Sequence, residues 1–154
     1  NKGKGEAMHR GAAETRADIL FFCDADLQGL TREHVQAIIA PVLEGRAAMC
    51  VGLRDRAGIP EFVTHIDPLL AIGGERAIRK EIFMQLTKKD YHGFSVEIAL
   101  NNYCKRHNFP VHFVVMRGVI PVSKERKWGI WTGLWRRIPW LFQMIRIRFL
   151  SFFR

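Results

Sequence analysis

Ile19-Leu20-Phe21-Phe22-Cys23 is an unbroken apolar run that ends in two carboxylates one residue apart, Asp24 and Asp26. An apolar run of this length reads as a strand buried on both faces, of the kind found at the centre of a parallel sheet. Acids directly after such a strand stand at its carboxyl end, where open α/β sheets place their ligands. Alternate side chains of an extended segment point the same way, so Asp24 and Asp26 are expected to converge. Two converging carboxylates repel unless a cation lies between them. The expectation is a Mg²⁺ or Mn²⁺ site carrying a phosphorylated substrate. The amide oxygen of Gln28, two residues further on, is a third hard ligand for it.

The rest of the chain reads as an α/β domain. A Gly/Lys-rich turn over residues 1–5 leads into a helix over about Glu6–Thr15, and Asp18–Cys23 is the first strand. Thr31 is placed to cap a helix whose apolar face is Val35, Ile38, Ile39, Val42 and Leu43. Pro41 is expected to bend it or remove one hydrogen bond, and Gly45 to end it. Ala47–Leu53 is a second strand, ending near Arg54, and residues 57–72 read as a loop. Gly73-Gly74 is expected to open a helix over about Glu75–Leu86, with Arg76 and Arg79 on one face. Another helix runs over about Phe94–Arg106, followed by a third strand at Val111–Val115. Strand, helix and strand in succession imply a parallel crossover and a mostly parallel sheet flanked by helices.

Charge divides the chain in two. Residues 1–104 hold 13 Lys and Arg against 14 Asp and Glu, whereas residues 105–154 hold 11 against the single acid Glu125. That asymmetry points to a polyanionic partner for the tail. Within it Trp128, Trp131, Trp135, Ile138, Phe142, Ile145, Phe149 and Phe152 follow a 3,4 spacing among arginines, and Pro139 is expected to kink the helix they make. The frequent charges argue against a span and for an amphipathic helix lying on an anionic membrane surface. No recognised nucleic-acid-binding module accompanies it, so a nucleic-acid partner is not expected. Three cysteines without CxxC spacing argue against a disulfide framework or a zinc site, and read as small buried hydrophobes.

Asn1-x-Gly3-Lys4-Gly5, then a helix, then an apolar strand ending Asp24-Ala25-Asp26-Leu27-Gln28 resembles the family 2 glycosyltransferases. The nearest flavour is the branch of the dolichyl-phosphate mannose synthases and related polyprenyl-phosphate sugar transferases. The resemblance covers about residues 1–125 and implies a GT-A fold, which is Rossmann-like. It implies that the Asp-x-Asp holds a divalent metal on the diphosphate of a nucleotide sugar. The resemblance implies that the strand that binds the nucleobase in this family would precede Asn1. The expectation is therefore that residues 1–125 are the C-terminal two-thirds of a catalytic domain and 126–154 an amphipathic tail.

Candidate substrate-binding residues are Lys4 and Asp24 on the donor side, Arg54 as a bidentate grip on diphosphate, the Gly73-Gly74 turn, and Arg76. Arg54, Arg76 and Arg79 have surface ion pairs as their ordinary alternative. Glu97 lies at the border of an apolar helical face, where burial is expected to raise its pKa and suit it as general base; the family places an acid near this point. Asp90 is the runner-up. Lys124 belongs to a basic stretch that meets an acceptor phosphate or lipid headgroups. The implied activity is inverting, metal-dependent transfer from a nucleotide sugar to a lipid-linked or glycan acceptor, at the cytoplasmic face of a membrane. The alternative is a non-catalytic remnant that binds membrane through its tail. A dehalogenase-type phosphatase also uses Asp-x-Asp after a strand, but Leu27 and the lack of a downstream Gly-Asp-x-x-x-Asp argue against it.

Overall fold

The computed structural model describes residues 3–54, 73–87, 90 and 96–122. The expected loop at 57–72, Lys124 and the aromatic tail lie outside the described residues. Helix α1 (Lys4–Glu14) leads to β1 (Ile19–Phe22) and the short β2 (Leu27–Gln28). Helix α2 (Arg32–Leu43), β3 (Met49–Arg54), β4 (Arg76–Arg79) and α3 (Lys80–Phe83) follow. Helix α4 (Val96–Arg106), β5 (Val111–Met116) and β6 (Ile120–Pro121) complete the described elements. By its contacts the chain divides into two units, residues 1–120 and 121–154.

The main sheet has the order β1-β4-β3-β5. Strands β1 and β3 both pair antiparallel with β4, and β3 pairs parallel with β5. Three strands therefore run one way and β4 alone runs against them. β2 belongs to a second, two-stranded sheet.

Period-two alternation sorts the sheet's side chains into two cores. Leu20, Met49, Val51, Leu53 and Ile78 face a cluster with Ala12 of α1 and Leu100 of α4. Cys50 and Ala77 face the other way, onto Ile38 and Val42 of α2, with Ile19 and Phe21 packed alongside. The result is a sheet covered by helices on both faces.

Helix α2 starts and stops where local chemistry dictates. The Thr31 hydroxyl accepts from the His34 amide, and His34 Nδ1 accepts from the Thr31 amide, so histidine completes a reciprocal cap. Gly45 follows the last turn at φ +74°, a left-handed conformation that favours glycine. Pro41 sits buried inside the last turn and has no amide to donate to the Ala37 carbonyl one turn back, the lost hydrogen bond expected of it.

Three expectations need correction. The segment after Gly73-Gly74 is not a helix from Glu75: Arg76–Arg79 is a strand and only Lys80–Phe83 is helical. Ladders on both sides override the local preference, with Phe22 and Val51 both opposite Arg76. Arg76 and Arg79 therefore do not share a helical face. Nor is β1 central among parallel neighbours, because its described partner is the antiparallel β4. Among the cysteines, Cys50 and Cys104 are buried as expected, but Cys23 is exposed.

Leu100 is fully buried, whereas Leu43 is 70% exposed. Leu100→Ala should destabilise the fold by about 2–5 kcal/mol through lost burial and a residual cavity. Leu43→Ala should stay within about 0.5 kcal/mol. Urea midpoints of the two variants check this, and equal shifts would contradict the core described here.

Candidate functional site

The carboxyl ends of β1 and β3, the approach to β4, and the first turns of α1 and α4 meet around one carboxylate, Asp24. Lys4 Nζ, at the start of α1, donates to Asp24 Oδ1 at 2.8 Å and to Glu97 Oε1 at 2.6 Å. Arg54 Nη2, at the end of β3, donates to Asp24 Oδ2 at 2.8 Å. The same guanidinium holds Glu75 through two bonds, Nε to Oε2 at 3.0 Å and Nη2 to Oε1 at 2.7 Å. Acids and cations thus alternate in the order Glu97, Lys4, Asp24, Arg54, Glu75.

Gly74 makes room for this arrangement. A β-carbon there would lie 2.5 Å from Asp24 Cγ, closer than any side chain tolerates. Gly73 is equally confined, because its β-carbon would strike the Gly52 carbonyl. The paired glycines therefore let backbone pack directly on the Asp24 carboxylate and on β3.

The protonation states follow from these contacts. Burial pushes the pKa of Asp24 up, but the hydrogen bonds and charges of Lys4 and Arg54 outweigh it and hold the carboxyl below its usual range. Glu97 behaves alike: burial pushes it up, and the Lys4 bond, with help from the Arg76 charge, brings it below normal. The expected upward shift of Glu97 is therefore overturned. Lys4 and Arg54 are raised, since their carboxylate partners outweigh the cost of burial.

Of the residues expected at a site, Lys4, Asp24, Arg54, Gly74 and Glu97 come together here. Gly73 adjoins them, its carbonyl accepting from Arg76 Nη2 at 2.6 Å. Arg76 is fully buried beneath the cluster rather than presented at a surface. Arg79 lies 3.7 Å from Glu81, the ion pair considered for it from sequence. Asp90 accepts from the Thr87 amide and hydroxyl at 2.7 and 2.8 Å and pairs with Arg106, so it closes a turn.

The expected metal set is only partly assembled. β1 ends at Phe22 and the chain turns at residues 25–26, so strand alternation does not carry through Asp26 to Gln28. No group of three or more His, Cys, Asp or Glu side chains is placed to hold a metal among the described residues. Both Asp24 oxygens already meet protein cations. Lys4 and Arg54 thus neutralise Asp24, as a metal was expected to do. Asp26 and Gln28, two and four residues further on, are exposed hard-oxygen donors. Mg²⁺ retains waters and substrate phosphates and needs only one or two protein carboxylates. The donors present fit an ion of that kind and not a closed protein cage.

Glu75, which the sequence placed at the start of a helix, is the further member of this cluster. It is fully buried and fixes the plane of the Arg54 guanidinium. An acid directly after a glycine pair, at the entry of a strand, was its only signal.

Glycosyl transferase family 2 matches residues 1–103. No curated protein matches the chain. Among solved structures, glucosyl-3-phosphoglycerate synthase from Mycobacterium tuberculosis in complex with phosphoglyceric acid is 24% identical, with a TM-score of 0.60 over 79% of this chain and 47% of that one. The same synthase with Mn²⁺ and UDP-glucose is 27% identical, with a TM-score of 0.58 over 77% and 46%. A further mycobacterial protein is 23% identical, with a TM-score of 0.56 over 79% and 44%. The chain spans less than half the length of these structures. With the family match extending over more than half of its residues, the chain belongs to glycosyl transferase family 2.

Proposed function

We propose that this protein is an inverting, metal-dependent glycosyltransferase that moves a sugar from a nucleotide-sugar donor to a membrane-associated acceptor, a polyprenyl phosphate or a lipid-linked glycan. One observation carries the reading. Lys4 joins the first acid of Asp-x-Asp to Glu97, so donor-side and base-side groups share one site. Family membership supports the reaction class. A solved relative bound to Mn²⁺, UDP-glucose and phosphoglyceric acid supports a UDP-sugar donor and a divalent ion.

When bound, Mg²⁺ or Mn²⁺ would neutralise charge on the diphosphate leaving group. Asp24 and Asp26 are the carboxylates that would hold it, with Gln28 as a neutral oxygen donor. Lys4 and Arg54 put fixed positive charge where the leaving group's negative charge builds. Glu97 accepts the proton of an acceptor hydroxyl; an acceptor phosphate is already anionic and needs no base. The acceptor oxygen forms its bond to the anomeric carbon opposite the departing nucleoside diphosphate, which inverts that carbon.

The basic aromatic stripe of residues 128–152 supports a membrane-associated acceptor and a peripheral position at the cytoplasmic face. The phosphoglyceric acid bound by the solved relative favours a second reading, a small soluble phosphorylated acceptor. Radiolabelled nucleotide sugars offered with polyprenyl phosphate in vesicles, or with 3-phosphoglycerate in solution, separate the two. Vesicle binding with no transfer to either acceptor would indicate a membrane-binding remnant and would overturn the transferase reading.

Asp26→Asn should remove most metal-dependent transfer, and full retained activity would contradict a role in holding the ion. With a hydroxyl acceptor, the depressed pKa keeps Glu97 in its basic form through mildly acid pH. The acid limb of the kcat/KM profile should therefore lie below the ordinary glutamate value of 4.5. Lys4→Met leaves burial as the strongest influence on Glu97, so the limb should move to higher pH. An unmoved limb would mean that Glu97 is not the group titrating. Deleting residues 128–154 should abolish flotation with anionic vesicles, and undiminished flotation would place membrane contact elsewhere.

A further inference from the structure

Arg76 is the largest fully buried side chain among the described residues. Its guanidinium sits where three pieces of the site meet. Nη2 donates to the Gly73 carbonyl at 2.6 Å. Nη1 donates to the Glu97 carbonyl at 3.2 Å and to Asn101 Oδ1 at 3.3 Å, both on α4. Nη1 also lies 3.8 Å from Met49 Sδ on β3, and Nε has no hydrogen-bond partner.

A buried cation is costly unless its position is needed or well satisfied. Burial pushes this guanidinium down to about 10, still charged at neutral pH. With no exposed surface it cannot touch a substrate. What it touches instead is backbone at two places that set geometry. The Gly73 carbonyl opens the glycine turn that packs on Asp24. The Glu97 carbonyl belongs to the residue expected to act as base. The four-residue run Gly73-Gly74-Glu75-Arg76 thus contacts β3, Asp24, Arg54 and α4 in succession.

We propose that Arg76 is a positioning residue that clamps the Gly73-Gly74 turn to the first turn of α4 and so fixes Glu97 relative to Asp24. The inference rests on the transferase reading above, because its kinetic consequence is misplacement of the base. A planar guanidinium bonds to Gly73 and to α4 through two different nitrogens at once. A lysine ammonium in the same cavity is a point charge that cannot span both.

Arg76→Lys keeps the charge and loses the fork. It should lower kcat about tenfold or more with a hydroxyl acceptor, since small misplacement of a reacting group is enough for that. The KM for the nucleotide sugar should stay within about twofold, because Lys4, Asp24 and Arg54 keep their own contacts. Asn101→Ala removes one bond to the clamp and should show the same split more weakly, which keeps the test informative where Arg76→Lys folds poorly. Unchanged kcat in a folded variant, or a donor KM that rises as kcat falls, would overturn the assignment. Amide hydrogen exchange tests the clamp without turnover. Faster exchange in both 73–76 and 96–98 of Arg76→Lys is expected, and unchanged exchange there overturns the clamp. Absence of transfer by the unmodified protein, with that exchange pattern present, would sink the transferase reading and leave the clamp standing.

Discussion

The alternation of Glu97, Lys4, Asp24, Arg54 and Glu75 is the interaction on which the site depends. Three carboxylates gathered this closely would repel and would take up protons. Two cations threaded between them hold Asp24 and Glu97 below the usual carboxylate range. The inner half is stiff: Arg54 is held bidentately by a fully buried Glu75, and its own side chain is 15% exposed. The outer half is looser, because the Lys4 side chain is 49% exposed and makes its bonds partly in water. A charged ligand therefore meets a fixed guanidinium on one side of Asp24 and an adjustable ammonium on the other. Solvent screening makes the outer contacts the cheaper ones to exchange.

That charge chain is possible only because the backbone lets the groups approach. β4 enters the sheet between β1 and β3, which brings Gly74 under Asp24 and Glu75 under Arg54. A side chain at residue 74 would displace the very carboxylate that both cations hold. Fold and site are thus coupled through one short segment: the residues that pair β4 into the sheet are flanked by those that shape the charge cluster.

Much of this was legible from local pattern. The apolar run into Asp24, the Thr31 cap, the Gly45 stop and the apolar face of α2 are decided within a few residues, and sequence shows them directly. β4 was not legible, because Arg-Ala-Ile-Arg has no decisive local preference and becomes a strand through neighbours on both sides. The burial of Arg76 was hidden for the same reason. Local reasoning also gave the wrong sign for the pKa of Glu97. It weighed the apolar surroundings of the helix correctly but could not see Lys4, which reaches Glu97 across 93 positions of sequence. The exposed Cys23 follows from the strand ending at Phe22, one residue before the apolar run does.

The divalent ion illustrates how the same residues support two different electrostatic solutions. Sequence spacing suggested a cation between two acids; the folded chain supplies cations of its own at Asp24. These solutions do not compete, because a diphosphate adds negative charge that Lys4 and Arg54 alone would have to share with Asp24, Glu75 and Glu97. With Arg76 beneath them, three protein cations balance the three acids Asp24, Glu75 and Glu97. A diphosphate entering such a site brings negative charge to cations whose charge the protein's own acids already match. A balanced cluster holds no spare positive charge for such a ligand, so a divalent ion would add to the protein cations and not duplicate them.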